Sequence, residues 1–206
     1  MSETTTAAFL RLIEGRRGHF QLESGHHGGL WLDLDALFAS PARIAPFVSD
    51  LADRLRRHDV SAVCGPLLGG AFVAQRLAVV LDVEFWFTER APRNDRSSLY
   101  GARYVLPPAF TTRVGGRRVA IVDDVMSAGS ALRGTFIELR THRARPVVAG
   151  ALLVLGDAGA EFFAKQQVPV EWVARDEYEL WSPDACPLCA SGVPLEDVAV
   201  PLKQGQ

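Results

Sequence analysis

The stretch Val119-Ala-Ile-Val-Asp-Asp-Val-Met-Ser-Ala-Gly-Ser-Ala131 decides the fold. It opens with four apolar, mostly β-branched residues, the composition of a strand buried on both faces. Two adjacent carboxylates follow, Asp123 and Asp124, then a small-residue turn over Ser127, Ala128, Gly129, Ser130 and Ala131. Leu132, Phe136 and Leu139 continue at helical spacing. A strand, a small-residue loop and a helix start in that order make an anion site. The first-turn N–H groups point outward, the helix dipole favours negative charge, and small side chains let the backbone close on a phosphate. Ser127 and Ser130 add hydroxyl donors. The two acids would repel a phosphate, so they need another task. A carboxylate accepts hydrogen bonds from a vicinal diol, and a divalent cation can bridge carboxylate, diol and phosphate. A sugar phosphate fits this stretch better than a phosphate alone. The three spaced glycines of a dinucleotide fingerprint are missing, and so is the Gly-Lys-Ser/Thr of a P-loop.

Outward from this stretch, a second strand–loop–helix unit lies upstream. Val60 to Cys64 reads as a short buried strand, Gly65-Pro66-Leu67-Leu68-Gly69-Gly70 as a loop, and Ala71 to Leu81 as a helix. In a βαβ arrangement, parallel strands bring both loops to one sheet edge. Pro66 to Gly70 is then a second anion site, and Cys64 a small core residue. Val83 to Phe87 is a further strand. From Thr88 to Arg103 periodicity is lost, and Arg90, Arg93, Arg96 and Tyr100 fall in this polar segment. It reads as a lid over a polyanionic substrate. Downstream, Pro146 to Leu155 is a strand, Glu161 to Gln167 a short helix, and Val168 to Val173 an edge strand that tolerates Pro169.

The N-terminal part reads as an amphipathic helix over Thr4 to Arg16, ended by Gly15 or Gly18. Phe20 and Leu22 alternate with polar residues, and Leu30 to Leu34 reads as a second strand. His26 and His27 read as part of a solvated turn rather than as metal ligands. Ser40-Pro41 starts a helix that runs to about Arg57. In the tail, Cys186 and Cys189 have zinc-knuckle spacing, but a closed zinc site needs four ligands. The sequence offers no second Cys-x-x-Cys, so zinc would need histidines or a second subunit. A redox pair lacks its usual setting. The preferred reading is a non-metal tail.

The chain has 206 residues, enough for one α/β domain with a modest appendage. A net charge of −2 gives no general attraction to nucleic acid or anionic membrane, so neither is expected as a partner. The apolar runs are far short of a membrane span, no secretory signal is read at the N-terminus, and three cysteines make no disulfide framework. A cytoplasmic protein is expected.

The thirteen-residue stretch resembles the phosphoribosyl pyrophosphate (PRPP) signature of type I phosphoribosyltransferases. Within that family, the chain looks most like the orotate phosphoribosyltransferases from about His19 to Leu155. Phe20 to Gly25 and Trp31 to Asp33 resemble the hood over the base. Pro66 to Gly70 resembles the pyrophosphate loop, and Thr88 to Arg103 sits where the mobile catalytic loop lies. Arg133 stands where those enzymes often carry an arginine for the orotate carboxylate. The resemblance implies a central, mainly parallel sheet flanked by helices with a small N-terminal hood. It implies one phosphoribosyltransferase domain over 1–206: helix and hood to residue 40, α/β core over 41–175, tail over 176–206. It also implies Mg2+ held mainly by PRPP rather than directly by protein ligands, a nucleobase acceptor, and a homodimer. Asp123 and Asp124 would orient the ribose, Ser127 to Ala131 would hold the 5′-phosphate, and Ser24, Trp31 and Arg133 would meet the base. The lid here has no lysine, Tyr100-Gly101 replaces a His-Gly pair, Gly69 replaces a frequent lysine, and Glu23 stands where some members have lysine.

Overall fold

The computed structural model describes residues 3–91, 99–100 and 102–197. Its main sheet has six strands in the order β5-β4-β3-β6-β7-β8. These are β3 (Ala62–Pro66), β4 (Glu84–Arg90), β5 (Tyr104–Val105), β6 (Arg118–Met126), β7 (Arg145–Leu155) and β8 (Val170–Asp176). All neighbours pair parallel except β5, which runs antiparallel to β4 at the edge. The crossovers carry α4 (Gly69–Leu81), α5 (Pro108–Thr111), α6 (Ser130–Thr141) and α7 (Ala158–Lys165). Upstream lie α1 (Glu3–Leu10), α2 (Asp35–Phe38) and α3 (Pro41–Leu55).

β6 is the centre because its side chains feed two cores. Ala120 and Val122 pack on one face with Ile44, Leu51, Val73 and Leu77 from α3 and α4. Val119 and Ile121 pack on the other with Trp86, Leu132, Phe136, Leu139 and Phe163. Alternate residues of a strand point to opposite faces, so an unbroken apolar run is what two covered faces require. The α/β architecture with a mostly parallel sheet is the one expected. Among the described residues, no helix is long and apolar enough to cross a membrane.

A second sheet has the order β10-β1-β2-β9, built from β1 (Glu14–Gln21), β2 (His27–Asp33), β9 (Leu180–Trp181) and β10 (Glu196–Asp197). Here the expected N-terminal helix is corrected. It stops at Leu10, and β1 runs through both Gly15 and Gly18. A Cβ on Gly15 would meet the Leu30 and Leu32 side chains at 3.0 and 3.1 Å, and one on Gly18 would meet the Phe20 ring at 2.7 Å. These glycines permit close packing within a strand and stop no helix. The register of β1 on β2 shifts between Arg17 and Phe20, a bulge that re-aims the side chains beyond it. The tail returns to this sheet twice: β9 adds to β2, and β10 adds to β1 with Phe20 opposite Glu196. Tyr178, just past β8, ties the sheets together by donating to the Leu30 carbonyl at 2.7 Å. Its hydroxyl lies where a Cβ on Gly28 would fall, so only glycine fits there.

Candidate active site

β3 and β6 lie side by side and end at the same sheet edge. The loop after β3 and the acids of β6 meet there in a cleft of about 260 Å³. Pro66, Leu67, Leu68 and Gly69 form one wall, and Asp123, Asp124, Ser127, Ala128, Gly129, Ser130 and Ala131 form another. Leu22, Glu23 and Ser24 close it from the second sheet, with Leu34, Tyr104 and Val125 completing the lining. The two strand–loop–helix units therefore share one site.

The acids are not in an open loop. β6 continues through both of them to Met126, with Asp123 opposite Ala151 and Val125 opposite Leu153 on β7. Asp123 is buried, and its Oδ1 accepts the Asp124 backbone N–H at 3.0 Å. Asp124 Oδ1 accepts the Val125 N–H at 2.7 Å. Burial, and then repulsion from Asp124, holds the Asp123 carboxyl well above the usual carboxylate range. Their closeness to the β3 loop explains its glycines. A Cβ on Gly69 would fall 2.0 Å from Asp124 Oδ2, and one on Gly70 2.7 Å from Asp123 Oδ1. A Cβ on Gly65 would strike the Gly70 carbonyl oxygen at 2.1 Å. Gly69 thus stands where a side chain would displace an acid. Gly70 lies behind the wall, against Asp123.

The opposite wall is the N-terminus of α6. Gly129 precedes it with φ +74°, a left-handed turn that places Ser130 at the first helical position. Ser130 is buried, and among the described residues its Oγ has no hydrogen-bond partner. An orphaned hydroxyl beside first-turn amides is a donor set awaiting an anion.

Other residues lie differently from expectation. Arg133 does not line the cleft. One terminal nitrogen donates to the Ala158 carbonyl at 2.6 Å, and the guanidinium lies 3.9 Å from the Tyr100 ring centre and 4.6 Å from that of Phe162. Burial pulls it below the usual guanidinium range, and its Nε–H has no partner among the described residues. Trp31 also lies outside the cleft, under the Arg16 guanidinium at 5.0 Å. Arg90 is the last residue of β4 rather than part of a loop, and pairs with Glu23 at 3.1 Å. Arg93 and Arg96 lie outside the described residues. Tyr100 docks on the hood turn, donating its N–H to the Ser24 carbonyl at 2.9 Å.

Sequence reasoning missed Tyr104. Its hydroxyl donates to Glu23 Oε1 at 2.8 Å at the edge of the cleft. Its ring presses on α6 where a Cβ on Gly134 would come within 2.6 Å. A glycine inside a helix was the available signal. The solvated-turn reading of His26 and His27 also needs correction. His27 is buried, and His26 Nδ1 lies 3.1 Å from Ser24 Oγ. Nor does the cysteine pair stand alone, since His19 and His27 of the same chain face it.

Residues 33–179 match the model of the phosphoribosyl transferase domain. The chain belongs to the phosphoribosyltransferase family. A relative from Thermotoga maritima, named orotate phosphoribosyltransferase, is 29% identical over 87% of this chain and 88% of its own. One of the same name from Carboxydothermus hydrogenoformans is 32% identical over 86% and 87%. Among solved structures, orotate phosphoribosyltransferase from Aeropyrum pernix has a TM-score of 0.62 at 23% identity, covering 83% of this chain and 93% of that one. Adenine phosphoribosyltransferase from Trypanosoma brucei scores 0.65 at 17%, covering 82% and 78%. The type I phosphoribosyltransferase fold is thus shared by relatives named for different bases, and the fold does not choose the base.

Proposed function

We propose that this protein transfers the phosphoribosyl group of PRPP to orotate, giving orotidine 5′-monophosphate and pyrophosphate. The observation that carries PRPP is the single cleft in which the orphaned Ser130 hydroxyl faces the Asp123–Asp124 pair and the glycine loop. The relatives' names carry orotate.

In this reading, the 5′-phosphate sits on the first turn of α6, taking Ser130 Oγ–H and the amides of the Ser127–Ala131 turn. The carboxylates of Asp123 and Asp124 accept from the ribose 2′- and 3′-hydroxyls and fix carbon 1 toward the base. The backbone of Pro66 to Gly70 lies against the pyrophosphate. Mg2+ would be held mainly by the pyrophosphate and ribose oxygens of PRPP, beside the hard carboxylate oxygens of Asp123 and Asp124. Bound there, it would neutralise charge on the departing pyrophosphate. The bond from carbon 1 to pyrophosphate breaks, with its electron pair leaving on the pyrophosphate oxygen. A lone pair of the base nitrogen forms the new bond, and the proton that this nitrogen carried passes to the departing pyrophosphate. The acid pair stabilises the cationic ring between these events. The base lies under the hood turn beside Ser24. Arg133 is assigned to the orotate carboxylate by a side-chain rotation away from Ala158, which would employ its unpartnered Nε–H.

A base panel tests this reading: orotate, uracil, adenine, guanine and hypoxanthine with PRPP and Mg2+, read by pyrophosphate release. Turnover with orotate and little with uracil is expected. Turnover with a purine alone moves the assignment to salvage. Tight PRPP binding without turnover of any base makes the protein a PRPP-responsive binding module.

A further inference from the structure

The second sheet and the tail converge on one point that the transfer reaction does not use. His19 on β1, His27 at the start of β2, and Cys186 and Cys189 each offer one ligand atom, and these four atoms all lie within 4.8 Å of one another. We propose that they form a closed, structural zinc site that locks the tail onto the hood sheet.

The distances carry this further than the residue types do. Zinc bonds of about 2.0–2.1 Å to nitrogen and about 2.3 Å to sulfur, in a tetrahedron, place nitrogen from nitrogen at about 3.3 Å and nitrogen from sulfur at about 3.6 Å. In the structure, His19 Nε2 and His27 Nδ1 are 3.1 Å apart. Cys186 Sγ and Cys189 Sγ lie 3.3 and 3.7 Å from His19 Nε2, and Cys189 Sγ lies 3.3 Å from His27 Nδ1. The separations are those of ligands around a shared centre. The two cysteines are free thiols, not a disulfide.

The surroundings prepare the site. His19 Nδ1 lies 2.8 Å from the Val193 carbonyl oxygen, an atom that can only accept. The proton therefore sits on Nδ1, and Nε2 presents its lone pair to the cluster. A carbonyl that fixes the tautomer of a ligating histidine is the usual outer partner at a metal. His19, His27 and Cys186 are buried. Cys186 precedes α8 (Pro187–Ala190) and Cys189 lies within it, so the Cys-x-x-Cys wraps one turn around the common point. Two thiolates and two imidazoles are a borderline-soft set that suits Zn2+ and not Mg2+. Four protein ligands leave no open position, which makes the site structural.

The clamp joins segments far apart in sequence. Beyond the cysteines the chain reaches β10, where Glu196 pairs with Arg16 at 2.8 Å. On the other side, His26 follows Ser24 of the cleft and lies 5.1 Å from the Tyr100 ring. Fixing His27 therefore fixes the turn that roofs the cleft.

Metal analysis of the intact protein, purified without added metal under reducing conditions, tests this. About one zinc per chain is expected, with X-ray absorption showing two sulfur neighbours at about 2.3 Å and two nitrogen neighbours at about 2.0–2.1 Å. Cys186→Ser and Cys189→Ser should each lose the metal, and the buried Cys64→Ala should keep it. Chelation should lower the melting temperature and open the 182–197 segment to protease, and added zinc should restore both. Reduced protein that neither contains zinc nor takes it up from excess overturns the proposal, as does a Cys186–Cys189 disulfide in zinc-free protein. Should the serine variants fail to fold, absorption on the natural chain still decides: a shell of oxygen ligands, or one without sulfur, overturns it. None of these readouts depends on the base or on turnover.

Discussion

Asp123→Asn should make the protein more stable at neutral pH while disabling the ribose site. Asp123 is buried, its carboxyl is hydrogen-bonded to that of Asp124, and burial and like charge raise its pKa. An unfolded aspartate titrates near about 3.9. With the folded pKa raised, the folded state binds the extra proton. The stabilising contribution is fully present below pH about 3.9 and is lost as pH rises through the folded value. Asparagine keeps the oxygen that accepts the Asp124 N–H at 3.0 Å. Its amide supplies a donor toward the Asp124 carboxylate at every pH, where the natural residue supplies one only when protonated. Single stabilising substitutions are commonly worth about 0.5–2 kcal/mol. For a chain of this size that is roughly 1–8 °C in melting temperature. Calorimetric melts of both proteins from pH 4 to 9, without ligand, measure it. The difference should be near zero at pH 4 and grow with pH, while PRPP affinity falls sharply. A variant less stable than the natural chain at pH 8, or an offset independent of pH, would refute the reasoning.

Ser130→Ala removes the orphaned hydroxyl and should weaken PRPP by roughly ten- to a hundredfold in calorimetry, the worth of one charged hydrogen bond of about 1.5–3 kcal/mol, with the melting temperature little changed. Gly69→Ala drives a methyl into Asp124 Oδ2; because that carboxylate can swing away, PRPP affinity should fall more than stability, and an unchanged affinity would disconnect Asp124 from the ligand. Arg133→Ala should lower kcat/KM for orotate by roughly ten- to a hundredfold and leave PRPP affinity alone; unchanged orotate kinetics would leave Arg133 as the clamp between Tyr100 and Ala158 that the structure shows. The buried hydroxyls of Thr88 and Thr135 share a 2.7 Å hydrogen bond, so Thr135→Val should cost about 1–3 kcal/mol by stranding Thr88, and Thr88→Val added to it should recover part of that in denaturant unfolding.

Local pattern alone determined the core and the small-residue turn that lines the cleft. The run Val119 to Val122 demands two covered faces, and small residues followed by a helical period demand an anion-binding turn. These are properties of neighbours in sequence, so sequence displays them. The two α/β units could be joined because parallel strands have only one edge at which their loops can meet. Tertiary structure decided what depends on residues distant in the chain. Gly15 and Gly18 read as helix stops by sequence, but β2 packs on Gly15 and the Phe20 ring on Gly18, and strand pairing overrides a local helical period. Only the pairing with β7 carries the strand past Asp123 and Asp124, and the resulting burial raises the Asp123 pKa. That Arg133 rests on the Ala158 carbonyl follows only from the placement of α7. The Cys-x-x-Cys reads as a non-metal tail by sequence because the histidines that face it stand far upstream, 167 residues between His19 and Cys186 and 162 between His27 and Cys189. No periodicity or spacing rule spans such separations. Only the return of the tail to β1 and β2 brings the four side chains to one point.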